Sequence, residues 1–244
     1  MASFPAQQVR RPAGVQLLLA DQLMLLAFSA GNGRLRMGPR SCLPAGLAGA
    51  VLTDLALRGS IAVDQRRLHA RKNRVQVTGS PAREPFLDAL AASVRAQRPR
   101  TLGWWIRSGF PGLHGQVLAR LSAAGLVTTS HGMLRRPSYL AYPQVQGDAL
   151  QRVQSAVLAD PARAAGLWAS DPWSASLTSL AFACHVMEVR WLPRDQRRLA
   201  QANVRVIRGS DPIGQAVSDL VEQARRSAAS SSNSAMMIMV ATGG

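Results

Sequence analysis

The stretch Pro44-Ala45-Gly46-Leu47-Ala48-Gly49-Ala50-Val51-Leu52-Thr53-Asp54-Leu55-Ala56-Leu57-Arg58-Gly59 carries the reading of the whole chain. Proline suits the first turn of a helix, and Gly59 is a natural stop. Between them, Ala48 to Leu57 is apolar on nearly every face. A surface helix shows one apolar and one polar stripe, whereas a helix apolar all round belongs in the interior. The sequence therefore predicts a fold wrapped around a buried helix from about Pro44 to Arg58.

After Gly59 the period changes. Ile61 and Val63 fall on alternate positions, as do Val75 and Val77, and a very basic turn lies between the pairs: Arg66, Arg67, His69, Arg71, Lys72 and Arg74. That pattern predicts a β-hairpin with a charged tip. The design recurs. A helix from Leu113 to Ala124 stops at Gly125, and Leu126-Val127-Thr128 opens a second hairpin returning through Tyr139 to Tyr142. The two stops, Leu57-Arg58-Gly59-Ser60-Ile61 and Ala123-Ala124-Gly125-Leu126-Val127, read as one helix-to-hairpin unit used twice.

Upstream, residues 1–13 lack periodicity and read as a disordered basic arm. From Val15, apolar residues at Leu18, Leu19, Leu23, Leu25, Leu26 and Phe28 predict a helix ending at Gly31-Asn32-Gly33. A loop with Arg34, Arg36 and Arg40 follows. Downstream, helices are expected at Glu84–Gln97, Thr101–Arg107, Asp148–Leu158, Pro161–Ala169, Ser174–Trp191, Asp195–Ile207 and Ile213–Arg226. The apolar Met236–Val240 run is expected to end a core helix. Hydrophobic residues make up 47% of the chain but aromatics only 5%, so Ala and Leu dominate, which favours helix. The expected fold class is mainly α: a compact multi-helix single domain over residues 14–240, with a buried central helix and two β-hairpins.

The catalytic inventory is poor. His69, His114, His131 and His185 are scattered singly, and no H-E-x-x-H, Walker loop, G-x-S-x-G or G-x-G-x-x-G occurs. His185 is placed on a helix near Glu188, a local contact and not a ligand pair. A non-catalytic protein without cofactor or metal is expected. Cys42 and Cys184 sit in apolar surroundings without C-x-x-C spacing and read as buried free thiols. The most apolar stretch, Val15 to Ala30, is too short to span a bilayer. Trp104-Trp105 is read as a pair with one ring buried.

Charge is the informative feature. The formal net charge is +16, and Lys72 is the only lysine. Arginine in place of lysine suits a GC-rich genome, but the scarcity of acids does not follow from that. Such a surplus attracts phosphates, in nucleic acid or on an anionic bilayer. Its clusters, at Arg34–Arg40, in the first hairpin and at Arg135-Arg136, all fall in loops, where side chains can converge on one ligand. A nucleic-acid reading competes: Glu84–Gln97, Thr101–Arg107, Leu113–Ala124 and the 126–142 hairpin follow winged-helix order. The third helix would have to read bases, yet it offers mainly His114, Gln116 and Arg120.

The run Gly46-Leu47-Ala48-Gly49 leading through Asp54 to Leu55-Ala56-Leu57-Arg58-Gly59 resembles the signature helix of the Golgi phosphoprotein 3 family. Leu17 to Leu26 resembles that family's opening helix, Trp105-Ile106 its W-I pair, and Gly125-Leu126-Val127-Thr128-Thr129 its G-V-L-T-T. The resemblance runs over most of residues 14–240. It implies a compact helical fold with hairpins, binding of phosphatidylinositol 4-phosphate, and an adaptor role toward cytoplasmic tails of membrane proteins, on the cytoplasmic side and peripheral to the membrane. The family's headgroup pocket uses a Trp, an Arg inside G-L-R-G and two Arg ahead of G-V-L-T-T. Counted from Gly46 and Gly125, those positions are Pro39, Ala48, Pro111 and His114 here, so its phosphoinositide selectivity is not expected. The residues expected to meet an anionic headgroup are Arg36, Arg40, Arg107, His114, Arg135 and Arg136.

Overall fold

The quoted helix is α2, Leu43–Leu57, and every residue from Gly46 to Leu55 is buried. In this computed structural model, residues 16–28, 42–64, 70–130, 138–141 and 143–241 are described, with backbone course alone for 129–130, 138–140 and 228–241. The expected arm at 1–13 lies outside them, as do Arg36, Arg40, Arg66, Arg67, His69, Arg135 and Arg136.

Around α2 lie α1 (Leu19–Ala27), α3 (Pro85–Ala96), α5 (Leu113–Ala123), α8 (Pro172–Ala183) and α10 (Pro212–Ala241). The remaining helices are the one-turn α4 (Leu102–Trp104), α6 (Pro143–Val157), α7 (Pro161–Ser170) and α9 (Arg197–Gly209). The fold is mainly α, as its composition predicts. Two antiparallel hairpins complete it. In the first, β1 (Ile61–Val63) pairs with β2 (Val75–Val77), Ile61 opposite Val77; in the second, β3 (Val127–Ser130) pairs with β4 (Ser138–Ala141), Val127 opposite Ala141.

The helix-to-hairpin unit is used twice in geometry as well as in sequence. Gly59 and Gly125 both take left-handed φ, +73° and +68°. Behind them the Ser60 N–H donates to the Leu55 carbonyl at 2.8 Å, and the Leu126 N–H to the Leu121 carbonyl at 2.9 Å. Each helix thus closes its last carbonyls the same way before turning into a strand.

Two of the expected boundaries move. The helix placed at Ser174–Trp191 ends at Ala183, because His185 adopts φ +57° and turns the chain out; His185 is therefore not on a helix with Glu188. The last helix continues through the Ser/Ala stretch to Ala241. The first hairpin's basic turn is also less free than expected. Its end is a 3-10 turn, Ala70–Lys72, packed on α10, where half-buried Arg71 donates to Gln223, while Lys72 and Arg74 are exposed.

Close packing on α2 depends on glycine. A Cβ at Gly46 would lie 2.5 Å from Cys184 Sγ and 3.1 Å from Leu23; one at Gly49 would lie 2.6 Å from Val217. Asp54, 0% exposed, is the one ionisable group buried on α2, and its Oδ2 accepts the Leu19 N–H at 2.9 Å, satisfying the first turn of α1. Buried Asp21 accepts the Leu18 N–H and the Arg120 Nε–H, both at 3.0 Å. Arg120 also donates to Glu84 at 2.6 Å, and Glu84 caps α3 through the Leu87 N–H at 2.8 Å. One arginine of α5 therefore ties together the starts of α1 and α3.

Burial pushes the Asp54 carboxyl up to about 8, with the Leu19 amide and Arg58 pulling the other way. Asp54 thus keeps in the fold a proton that the unfolded chain releases near pH 4. Its effect on stability declines as pH rises from about 4 to about 8 and is level above that. Asp54→Asn retains an acceptor for Leu19. Its denaturation midpoint should therefore gain on the wild type's as pH rises through that window; parallel profiles would place the Asp54 proton elsewhere. A second comparison tests the packing. Helix propensity favours Gly→Ala by about 1 kcal/mol, so Gly147→Ala, with open space at its Cβ on α6, should stabilise. Gly46→Ala should instead lose roughly 1–2 kcal/mol net, because overpacking of a filled core outweighs that gain. Urea unfolding of both variants separates the effects.

Candidate functional site

A cleft opens between the start of α2 and the start of α5, with a volume of about 140 Å³. Its walls come from Pro44 and Ala48 on α2, from Ile106, Arg107, Ser108 and Phe110, and from Gly112, Leu113 and His114. The segment joining α4 to α5 gives it its shape. Thr101 caps α4 by accepting the Trp104 N–H at 3.3 Å, and the chain then widens into a π-helical turn, Trp105–Gly109. Turns of this kind are frequent at functional positions.

The π turn rests on aromatic packing. Trp105 is 1% exposed, meets Trp104 edge-on at 4.9 Å and lies against Phe110 at 5.3 Å. Half-buried Trp104 and buried Trp105 match the expected pair with one ring inside. Gly109 is required there, since a Cβ would fall 2.1 Å from the Trp105 ring. With the aromatic side anchored inward, Arg107 and Ser108 are left exposed at the cleft. Gly112, at φ +71°, then starts α5 with no side-chain cap. The Leu113 N–H donates to the Phe110 carbonyl at 3.4 Å, and the His114 and Gly115 amides, without a partner among the described residues, are open to an acceptor. The Gln116 side chain donates to the Pro111 carbonyl at 3.3 Å, stiffening the entry. His114 is half-buried, and desolvation moves its imidazole below the usual histidine range, toward the neutral form at pH 7.

The cleft brings together Arg107 and His114 of the expected residues, together with Ala48; Pro111 sits between two wall residues. Arg36, Arg40, Arg135, Arg136 and Pro39 lie outside the described residues. Sequence reasoning missed the π turn and Ser108, although Gly109-Phe110-Pro111-Gly112 is a turn signal that could have marked the place. What the site offers is one guanidinium, one imidazole, a hydroxyl and open helix amides, a donor set suited to an oxyanion. Among the described residues, no three His, Cys, Asp or Glu side chains are grouped so that they could hold a metal, and no helix is long and apolar enough to cross a membrane.

The candidate base-reading helix is α5. It buries Leu113, Val117 and Leu121, and its outer face carries Gly115, Gln116, Ala119, Ser122 and Ala123. Its one arginine, Arg120, is committed to Asp21 and Glu84.

The family model for Golgi phosphoprotein 3 (GPP34) matches residues 19–224 of the chain. No curated protein matches it.

The cleft's electrostatics yield a direct measurement. In an NMR pH titration, His114 should titrate below the ordinary histidine value of about 6.5, and an inorganic phosphate bound beside it should raise that midpoint. A midpoint at the ordinary value, unmoved by phosphate, would mean that the ring is solvated and takes no part in binding.

Proposed function

The chain belongs to the Golgi phosphoprotein 3 family, and from that premise we propose that it is a non-catalytic peripheral membrane protein that engages anionic phospholipid headgroups. The observation that carries this reading is the meeting of Arg107, His114 and the uncapped start of α5 in one cleft. The net charge of +16 adds long-range attraction to an acidic surface, where each basic group contributes about 1 kcal/mol. Arg36, Arg40, Arg135 and Arg136, with the exposed Lys72 and Arg74, supply the loop charges in this proposal. Docked at the cytoplasmic face of a membrane, the protein acts as an adaptor for cytoplasmic tails of membrane proteins, the role implied by the family resemblance.

Selectivity for phosphatidylinositol 4-phosphate has less support. Ala48 and His114 occupy positions where the family places arginines, so the planar forks that grip a phosphate bidentately are missing. The nucleic-acid reading loses its support at α5, whose single arginine is bound to Asp21 and Glu84 and whose outer face is small and neutral.

Cosedimentation with vesicles tests the proposal. The full chain should bind phosphatidylcholine vesicles doped with phosphatidylserine or phosphatidylglycerol. Binding should fall steeply as salt rises above about 0.1 M, where screening sets in over about 10 Å. Arg107→Gln, and separately Arg135→Ser with Arg136→Ser, should each weaken binding and leave the thermal midpoint unchanged. Vesicles with phosphatidylinositol 4-phosphate should bind no better than vesicles with an isomer of equal charge. Binding that persists in high salt, or that prefers duplex DNA in competition, would overturn the reading.

A further inference from the structure

A larger cleft, about 380 Å³, lies between the chain leaving α8 and the helices α9 and α10. Its apolar floor includes Phe182, Val204 and Val221, and its rim is cationic. Two acids face it, and both are taken. Glu188 pairs with Arg190, which donates through a second nitrogen at 3.2 Å; Glu222 pairs with Arg226 one turn along α10 at 3.0 Å. That leaves Arg205 and Arg208 on α9 and Arg225 on α10. None of the three makes an ion pair with a carboxylate among the described residues.

Arg208 is the built part of the cleft. It is half-buried, and it is held in place by donating to the Ser218 hydroxyl at 2.9 Å. Burial moves its guanidinium below the usual arginine range; nearby Glu222 acts against that shift and the charge of Arg205 adds to it. A half-buried cation is costly unless anions compensate it. The one carboxylate acting on Arg208, Glu222, is shared with Arg225 and Arg226, so the cluster keeps a surplus of positive charge. The cation-rich rim has a second aspect. Ala183 and His185, both lining this cleft, flank Cys184, whose carbonyl accepts the Cys42 N–H at the start of α2 at 3.2 Å. The Arg107 and His114 cleft takes its walls from Pro44 and Ala48 on the same first turns of α2. The two clefts thus flank one end of the central helix.

We propose that the α8–α9–α10 cleft is a second oxyanion site, in which Arg205, Arg208 and Arg225 hold a phosphate group over the apolar floor. Guanidinium forks from two helices match phosphate geometry better than a single chain of surface charges. The floor fits the carbon framework that a phosphate monoester or diester carries. The same chemistry fits a lipid headgroup or a free phosphorylated metabolite. The inference is independent of the Arg107 and His114 reading, since it rests on different residues.

The probe is inorganic phosphate, titrated at constant ionic strength into the full chain and followed by amide NMR. Saturable shifts are expected around Arg205, Arg208 and Ser218. Arg205 is exposed and makes no side-chain hydrogen bond among the described residues, so Arg205→Gln should leave the fold intact. Both Arg205→Gln and Arg225→Gln should weaken binding by about tenfold, the scale of one charge-assisted hydrogen bond. Arg107→Gln should leave these shifts unaltered, even if it abolishes vesicle binding. Shifts that spread over every arginine-bearing surface without saturating, or that survive both substitutions, overturn the proposal. Phosphatidylglycerol vesicles then distinguish the source. Loss of vesicle binding in the Arg205→Gln, Arg225→Gln double variant assigns the site to headgroups, and unchanged vesicle binding with lost phosphate binding assigns it to a soluble ligand.

Discussion

A helix without a polar face cannot lie on a surface, and α2 has none. Each neighbour must therefore approach it closely and from a different direction. Gly46 and Gly49 remove the side chains that would hold Cys184, Leu23 and Val217 away. Asp54 is the one charge-bearing group in its buried length, and it ends the first turn of α1 by accepting the Leu19 amide. The carboxyl is costly to bury as an ion, and burial keeps it protonated well above the usual carboxylate range. The arrangement exchanges a polar liability for a fixed angle between α1 and α2. Arg120 and Asp21 then set α3 and α5 against the same end.

Much of this was legible because the strongest sequence signals are local. All-round apolarity predicts the burial of α2, and the change of period after Gly59 predicts the first hairpin. Glycine after each helix predicts the left-handed turn, found at both Gly59 and Gly125. Spacing from Gly125 points to His114, and Arg107 is a neighbouring charge; they share a cleft with Ala48 because α2 and α5 start side by side. What was not legible depends on tertiary partners. The end of α8 is set by positive φ at His185, a conformation that histidine adopts more readily than most side chains but still too rarely to be read from sequence. Arg71 reads as a free charge until α10 supplies Gln223. One missed signal was local: Glu84-Pro85, Asp160-Pro161, Asp171-Pro172 and Asp211-Pro212 each place an acid before a proline and start a helix, the acid accepting an amide of the first turn.

These caps bear on the electrostatics. The chain has 13 acids, and Asp21, Asp54, Glu84, Asp160, Asp171 and Asp211 all serve as acceptors at helix starts. Several are buried and cannot offset arginines at the surface. The outward face is therefore more cationic than the net charge alone conveys. Unpaired guanidinium groups gather at clefts such as the one beneath α9 because few carboxylates remain to claim them.

The burial of α2 also governs how the chain comes into being. Residues 43–57 leave the ribosome before α8 begins at Pro172 and before α10 begins at Pro212. At translation rates of about 5–20 residues per second, the apolar helix waits roughly ten to thirty seconds for its last cover. Its contacts with Leu180 and Val217 join residues far apart in sequence, and such contacts form late in folding. During that interval a helix apolar on all sides is part of a nascent chain in which α1, β1, α3, the π turn and α5 are available to shield it, and α8 and α10 are not. The fold is thus completed only when α10 has been made, and truncation anywhere before α10 leaves the central helix without its roof.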